Sequence, residues 1–186
     1  MKATYRIDNK REEGFTLIEL LVVIVIVGIL GAIVAPSWLS FFTRQKMNAV
    51  NSDLISVIKE AQSAALQKRS RRQLIFSGVG STPSVTVSYP GSGGGDIYTE
   101  ALGTDSESLQ LVSFERNSSD AWVAASTSSI SFDHNGNVSS ANVPYIIKVQ
   151  PQDSSLSTSS RCVIVTTLLG GIKMGKGDTC SSFSPD

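Results

Sequence analysis

Hydrophobic residues are concentrated near the start of the 186-residue chain, in one continuous run. Between Phe15 and Phe42 this run contains a single charged residue, Glu19. As an α-helix, the part from Phe15 to Pro36 would be about 33 Å long, close to the ~30 Å hydrocarbon core of a bilayer. The pattern therefore predicts a transmembrane helix.

After Pro36 the apolar residues recur every three or four positions, which is the spacing of one face of an α-helix. They are Met47, Val50, Leu54, Val57 or Ile58, Ala61, and Ala64 or Ala65. The opposite face is predicted to be polar and carries Asn48, Asn51, Ser52, Asp53, Ser56, Lys59, Glu60 and Ser63. We predict that this helix ends near Lys68 and lays its apolar face on a globular body. Pro36 lacks an amide hydrogen, so we predict a helix kink there.

The strongest basic cluster in the sequence follows directly, between residues 68 and 72. It contains Lys68, Arg69, Arg71 and Arg72. Such a cluster suits the phosphate groups of nucleic acid. Cations are also favoured at the negative end of a helix dipole, and we favour a solvated helix end as the explanation.

Beyond residue 72, hydrophobic and polar residues alternate, which is typical of half-buried β-strands. The predicted strands contain Leu74 and Phe76, Val85 to Tyr89, Leu109 and Leu111, Ile130 and Phe132, Tyr145 to Val149, Cys162 to Leu169, and Ile172 to Met174. Asn135-Gly136 and Gly170-Gly171 predict tight turns between strands. Ser- and Gly-rich stretches near 78–96, 117–129 and 151–160 predict exposed loops. The body is therefore predicted to be antiparallel β.

Composition and charge narrow the candidate chemistry. The 16 Lys and Arg residues equal the 16 Asp and Glu residues, so no overall field gathers nucleic acid or acidic partners. His134 is the only histidine and lies in a predicted turn, which gives no support to a Ser-His-Asp triad or a multi-histidine metal site. Cys162 and Cys180 suit one disulfide, which implies an oxidising compartment. We predict no enzyme activity, no metal and no cofactor.

Glu19 requires a partner, because an ionised carboxylate within an apolar membrane helix costs about 2.5–3.5 kcal/mol. Cleavage between Gly14 and Phe15 would create an α-amino group one helical turn from this carboxylate. In a bundle of such helices, Glu19 could instead reach the terminal amine of a neighbour. An ordinary single-pass anchor, with Glu19 near the membrane surface, stays open as an alternative. The basic excess within residues 1–14 favours a cytoplasmic N-terminus.

The segment from Gly14 to Leu20, GFTLIEL, resembles the processing motif of type IV prepilins and type II secretion pseudopilins. The resemblance implies cleavage after Gly14 by prepilin peptidase and N-methylation of Phe15. It also implies that Glu19 contacts the Phe15 amine of the adjacent subunit during filament assembly. Pro36 matches the helix proline of that family.

Two later segments, SISFDHNGNV and RCVIVTTLLGGIKMGKGDTC, resemble the FimT/GspH class of minor pilins and pseudopilins. The resemblance implies an α+β fold, in which a long N-terminal α-helix, membrane half plus amphipathic half, carries an antiparallel two-sheet β domain. The expected organisation is a leader peptide (1–14), a transmembrane or filament-core helix (15–38), an amphipathic helix half (39–70) and a β-rich globular domain outside the cytoplasm (71–186).

The expected function is that of a minor pilin, a structural subunit that enters or primes a type IV pilus after prepilin peptidase cleavage. A type II secretion pseudopilin of the GspH kind and a DNA-binding minor pilin for DNA uptake are the alternatives. For DNA, Lys173 and Lys176 are the candidate contacts, although no dense basic patch surrounds them. The expected partners are prepilin peptidase, other pilins or pseudopilins and the bacterial inner membrane, with a periplasmic globular domain that later joins the filament.

Overall fold

The computed structural model describes residues 14–78, 82–89, 97–117, 119, 121–125, 127–139, 143–153 and 160–181. The predicted leader lies outside these ranges except for Gly14. The chain divides between Leu39 and Ser40 into two compact units. The first contains the N-terminal part of the single long helix, and the second contains the rest of that helix and every described β-strand.

Helix α1 (Leu17–Lys68) has 52 residues and contains both the continuous apolar run and the amphipathic stretch. It ends at Lys68, as the spacing of the apolar residues predicts. Arg69 then adopts a left-handed conformation (φ 46°), and the Ser70 N–H donates a hydrogen bond of 3.2 Å to the Ala65 carbonyl. This pattern is a Schellman ending, which most helices build with glycine at the position that Arg69 occupies.

Nine β-strands lie within the described residues. They are β1 (Arg72–Ser77), β2 (Ser84–Ser88), β3 (Tyr98–Ala101), β4 (Leu109–Arg116), β5 (Trp122–Ala124), β6 (Ser129–Phe132), β7 (Tyr145–Pro151), β8 (Arg161–Val165) and β9 (Ile172–Lys176). All pair antiparallel, in a four-stranded sheet ordered β3-β2-β1-β6 and a five-stranded sheet ordered β5-β4-β7-β8-β9. A 3₁₀ helix, Gly177–Cys180, follows β9. The predicted α+β class with two antiparallel sheets is confirmed.

One hydrophobic core joins the C-terminal part of α1 to both sheets. The helix contributes the predicted apolar stripe, namely Met47, Val50, Leu54, Val57, Ile58, Ala61 and Ala65. The sheets contribute alternate residues of their strands, including Leu74, Phe76, Val85, Val87, Ile130, Phe132, Leu109, Leu111, Ile147, Val149, Val163 and Val165. Alternation places these side chains on one face of each sheet and leaves the other face for solvent or a second cluster.

Two strands are absent from the sequence prediction, and one predicted strand is too long. All four residues of β3 are exposed, so it has no apolar alternation to detect. Strand β5 lies inside the predicted loop 117–129 and has only three residues. Strand β8 ends at Val165, because the chain then turns: the Gly170 N–H donates to the Thr167 carbonyl, and Gly170 has φ 77°.

The prediction of a solvated basic segment between residues 68 and 72 is wrong for Arg72. This residue begins β1 and is only 2% exposed. Its guanidinium lies 3.4 Å from the centre of the Tyr89 ring, a cation–π contact. The guanidinium of Arg71 donates to the Ser131 hydroxyl at 2.9 Å. Arg72 and the preceding Arg71 therefore link the start of β1 to Tyr89, which follows β2, and to Ser131 of β6.

The transmembrane prediction is not confirmed. Within the described residues, no helix has the combined length and apolar character needed to cross a membrane.

Candidate assembly and binding surfaces

The predicted processing site lies in an open part of the first unit. Gly14 is exposed, and a Cβ atom added to it would have no other atom within 4 Å. The next side chain, Phe15, is 82% exposed. Helix α1 begins only at Leu17, so the bond between Gly14 and Phe15 lies outside regular secondary structure. Cleavage at this bond stays a prediction.

Glu19 lies in the first turn of α1, where the helix dipole favours a negative charge. Its backbone N–H donates a hydrogen bond of 3.2 Å to the hydroxyl of Thr16, which caps the helix. Ser or Thr followed three residues later by Glu is the sequence pattern of a capping box. The sequence analysis gave Glu19 a role in assembly and missed this local role, although the pattern Thr16-x-x-Glu19 could have revealed it.

The apolar N-terminal part of α1 lacks any covering layer within its own unit. From Phe15 to Ile33, the large apolar side chains are between 47% and 82% exposed. They point in every direction around the helix, since nearly every position of the segment is apolar. A helix that is hydrophobic all round is normally buried, in a large core or a membrane. Pro36 also lies within α1, and its kink stays a prediction.

The candidate DNA contacts Lys173 and Lys176 lie on opposite faces of the five-stranded sheet. Lys173 pairs with Ile164, whose side chain belongs to the small cluster on the outer face. Lys176 pairs with Arg161 on the face that carries Val163 and the main core. Two residues three positions apart on a strand cannot share a face. The structure therefore does not bring the two lysines together in one patch.

Lys176 instead shares an open groove with Arg161, a residue that the sequence analysis did not select. The Arg161 Nε atom donates a hydrogen bond of 2.8 Å to the Asn48 side-chain oxygen, which links β8 to α1. Asn51 lines the same groove and is only 5% exposed. The prediction that Asn51 lies on the polar face, opposite the apolar stripe, is therefore wrong. Arg161 and Lys176 are brought together by the pairing of β8 with β9, and no short sequence motif indicates that pairing.

Cys162 and Cys180 form a disulfide with a Cα–Cα distance of 5.6 Å. The disulfide ties the 3₁₀ helix after β9 to strand β8. Both cysteines are buried in a small cluster with Ile146 and Ile164, against which Phe114 and Trp122 pack. The disulfide therefore forms part of a second, smaller core. Within the described part of the chain, no group of three or more His, Cys, Asp and Glu residues is placed to hold a metal ion.

Comparison with known proteins finds similarity in the N-terminal part of the chain. The family described as the prokaryotic N-terminal methylation motif matches residues 9–35, which include Gly14, Phe15 and Glu19. The type IV major pilin protein PilA of Myxococcus xanthus (strain DK1622) is 35% identical over 75 residues, which are 40% of this chain and 34% of that protein. The chain is type IV pilin-like.

Other similarities of this pilin-like chain extend further along it at lower identity. The type IV major fimbrial protein FimA of Dichelobacter nodosus is 29% identical over 116 residues, which cover 57% of this chain and 74% of that protein. The crystal structure of the type IV minor pilin FimU of Pseudomonas aeruginosa (strain PAO1) aligns with a TM-score of 0.49 and 14% identity, over 73% of this chain and 92% of that one. The chain spans only about a third of the length of the Myxococcus pilin, at 34%.

Proposed function

We propose that this chain is a minor pilin of the FimT/GspH class. Prepilin peptidase cuts it between Gly14 and Phe15, Phe15 is N-methylated, and the N-terminal helix then packs into a type IV pilus or primes its assembly. The subunit acts by packing against other pilins and carries out no reaction of its own. The two later segments that resemble the FimT/GspH class motivate the minor rather than the major role.

The exposed apolar surface between Phe15 and Ile33 is the observation that supports this proposal most strongly. Contiguous apolar surface of this extent marks a site of protein or membrane interaction. In a filament, the N-terminal helices of neighbouring subunits would pack against one another, and each helix would cover the apolar surface of the next. The carboxylate of Glu19 would then face the free amine of a neighbouring Phe15, which neutralises both charges away from water.

The inner membrane is the proposed location before assembly. The same apolar surface would lie among the lipid chains while the globular unit faces the periplasm, where the disulfide between Cys162 and Cys180 is stable. Alkaline carbonate extraction of bacterial membranes tests this location. Retention of the processed chain in the membrane pellet is expected, and release into the supernatant would contradict it.

Processing is the first step to test. The full chain is expressed with and without prepilin peptidase, and the N-terminus and mass of the product are measured. We expect a peptidase-dependent product that begins at methylated Phe15. Gly14→Val should abolish it, because a branched side chain occupies the space next to the bond that is cut. Gly28→Val is the matched control and should be processed normally, since a Cβ at Gly28 also meets no atom within 4 Å.

The role in the filament needs a separate measurement, because curated relatives are major pilins. Sheared pili are collected, and the ratio of this subunit to the main pilin of the same strain is determined by quantitative mass spectrometry. A small fraction of the total, with loss of pili on deletion, supports the minor role. A dominant fraction would contradict it, and a protein-export defect with normal pili would indicate the type II pseudopilin alternative.

A further inference from the structure

Two exposed phenylalanines lie in α1 at the start of the second compact unit, which begins at Ser40. Phe41 is 55% exposed and Phe42 is 47% exposed. Their rings meet edge to face, with 6.0 Å between the ring centres. Neither belongs to the main core, to which α1 first contributes at Met47. Packing of the second unit therefore does not explain why two large apolar side chains stand here.

Two cations follow the aromatic pair at helical spacing. Arg44 comes three residues after Phe41, and Lys46 comes four residues after Phe42, so each cation lies one turn beyond an aromatic ring on the same side of α1. Arg44 is exposed and Lys46 is partly exposed. No acidic residue occurs within six positions of either cation in the sequence. This stretch of α1 is therefore aromatic first and purely cationic one turn later.

The order of these residues matches the layers at the edge of a bilayer. The hydrocarbon core is about 30 Å thick and the whole bilayer is about 40–45 Å, so each head-group layer is about 5–8 Å deep. Along an α-helix, three residues rise about 4.5 Å and four rise about 6 Å. With Phe41 and Phe42 at the boundary of the hydrocarbon, Arg44 and Lys46 would lie among the lipid phosphates. Trp38, three residues before Phe41 in the sequence, is of a type enriched at this boundary.

We propose that Arg44 and Lys46 bind the head groups of anionic phospholipids on the periplasmic side of the inner membrane, with Phe41 and Phe42 at the edge of the hydrocarbon. This inference rests on the membrane location proposed above, and it adds a lipid preference and a depth. The apolar surface from Phe15 to Ile33 precedes the rings in the same helix. A bilayer covers that surface, the rings and the cations together. A nucleic acid or an acidic peptide supplies only the anions, which is why we favour the lipid.

The test identifies the lipid beside Trp38 in the full processed chain, reconstituted in vesicles of brominated phosphatidylcholine. Trp122, the other tryptophan, is changed to Phe so that Trp38 alone fluoresces. Bromine quenches Trp38 on contact, and an unbrominated lipid that replaces the brominated one restores the fluorescence. We expect unbrominated phosphatidylglycerol to restore it about threefold more effectively than unbrominated phosphatidylcholine, because anionic head groups attract nearby cations. This preference should fall to about one in Arg44→Gln with Lys46→Gln, and it should weaken at high salt.

Lys59→Gln with Lys68→Gln is the matched control, because it removes two exposed cations from later turns of the same helix. It should leave the preference for phosphatidylglycerol unchanged. The proposal is overturned if Trp38 is quenched but shows no such preference, or if the control lowers the preference as much as Arg44→Gln with Lys46→Gln. It is also overturned if bromine near the chain ends quenches Trp38 more than bromine near the head group. Absence of any quenching would instead contradict the membrane location itself, and this inference would fall with it.

Discussion

The backbone N–H of Glu19 donates a hydrogen bond of 3.2 Å to the Thr16 hydroxyl at the start of α1. Because Thr16-x-x-Glu19 is also the sequence pattern of a capping box, the Glu19 side chain has two candidate roles, a local one in the helix cap and a proposed one as the charge partner of a neighbouring subunit. Glu19→Gln separates them, because Gln serves in a capping box as Glu does but carries no charge. We expect Glu19→Gln to keep the helix start and to lose incorporation into sheared filaments.

Thr16→Ala is the complementary variant for the same test. It removes the capping hydroxyl, which typically costs about 1 kcal/mol of helix stability, and leaves the charge of Glu19 in place. We expect faster amide hydrogen exchange in the first turn of α1, with filament incorporation largely retained. Loss of incorporation in Thr16→Ala together with normal incorporation of Glu19→Gln would show that the cap, and not the charge, is what assembly requires.

The buried guanidinium of Arg72 and the ring of Tyr89 form a cation–π contact, whose contribution to the free energy of unfolding can be measured. The guanidinium lies 3.4 Å from the ring centre. We expect Tyr89→Leu to lower the free energy of unfolding by about 1–2 kcal/mol, since a desolvated cation loses its contact with an aromatic face. Urea unfolding of the full chain measures this loss, and Tyr89→Phe is the matched control because it keeps the aromatic face.

A double-mutant cycle decides whether the two residues are coupled. In an Arg72→Met background the charge is absent, so the added cost of Tyr89→Leu should fall below about 0.5 kcal/mol. Arg72→Met alone should be close to neutral, because methionine loses the contact with Tyr89 but also removes two buried guanidinium nitrogens, Nε and Nη1, that have no hydrogen-bond partner among the described residues. An equal cost of Tyr89→Leu in both backgrounds would mean that Tyr89 stabilises the fold by packing alone.

The sequence predicts the regular parts of the fold well, for physical reasons that are visible in the structure. The apolar spacing ends where α1 ends, at Lys68, because the same residues form the main core. The geometry of the helix end could not be predicted, because Arg69 adopts a left-handed conformation at a position where glycine is the usual sequence signal. Strand β3 could not be predicted either, because it buries no side chain and therefore has no apolar alternation. It is held by backbone pairing with β2.

The binding surfaces are less predictable, because they depend on which residues meet across strands. Lys173 and Lys176 are close in sequence but separate onto two faces as soon as β9 is recognised as a strand. Arg161 lies opposite Lys176 only because of the register in which β8 pairs with β9. That register depends on the turn at Gly170-Gly171, which is far along the chain from Arg161. Asn51 looks like a surface residue by its polarity, and only packing of α1 on the sheets shows that it is buried.

Tyr145 makes the stability of the globular unit depend on pH in the alkaline range. Its hydroxyl donates to the Thr127 carbonyl at 3.1 Å, and burial raises its pKa to about 12. In the unfolded chain the phenol titrates near pH 10. The stabilising contribution is therefore complete below about pH 10 and is lost as the pH rises through 12, for a total of roughly 2–3 kcal/mol. Urea unfolding at a series of alkaline pH values measures this loss.

Tyr145→Phe is the control for the alkaline effect. It has no phenol to titrate, so its stability should fall less between pH 9 and 12 than that of the wild type. At neutral pH it should be about 1 kcal/mol less stable, because the Thr127 carbonyl loses its hydrogen-bond donor. The pKa of Tyr98 is also raised, mainly by burial. Tyr98 is present in both proteins, so its contribution to the pH dependence is the same in each. Identical pH profiles would contradict the assignment to Tyr145.

Gly175 is required by the disulfide beside it. A Cβ atom at this position would lie 2.7 Å from the Cys162 sulfur and 3.4 Å from the Cys180 sulfur. We expect Gly175→Ala to lower the free energy of unfolding by about 1–3 kcal/mol, as overpacking in a core does. Replacement of both cysteines by alanine should cost about 3 kcal/mol by itself, because it releases a loop closed across 18 residues.

The combined variant tests the cause of the Gly175 effect. Once both sulfur atoms are gone, the added methyl group has space, so Gly175→Ala should cost less than about 1 kcal/mol in the cysteine-free background. Chemical denaturation of the four proteins under non-reducing conditions completes the cycle. An undiminished penalty would place the requirement for glycine in the contact with Thr179, whose methyl carbon lies 3.4 Å from the added Cβ atom, and would remove the sulfur contact as its explanation.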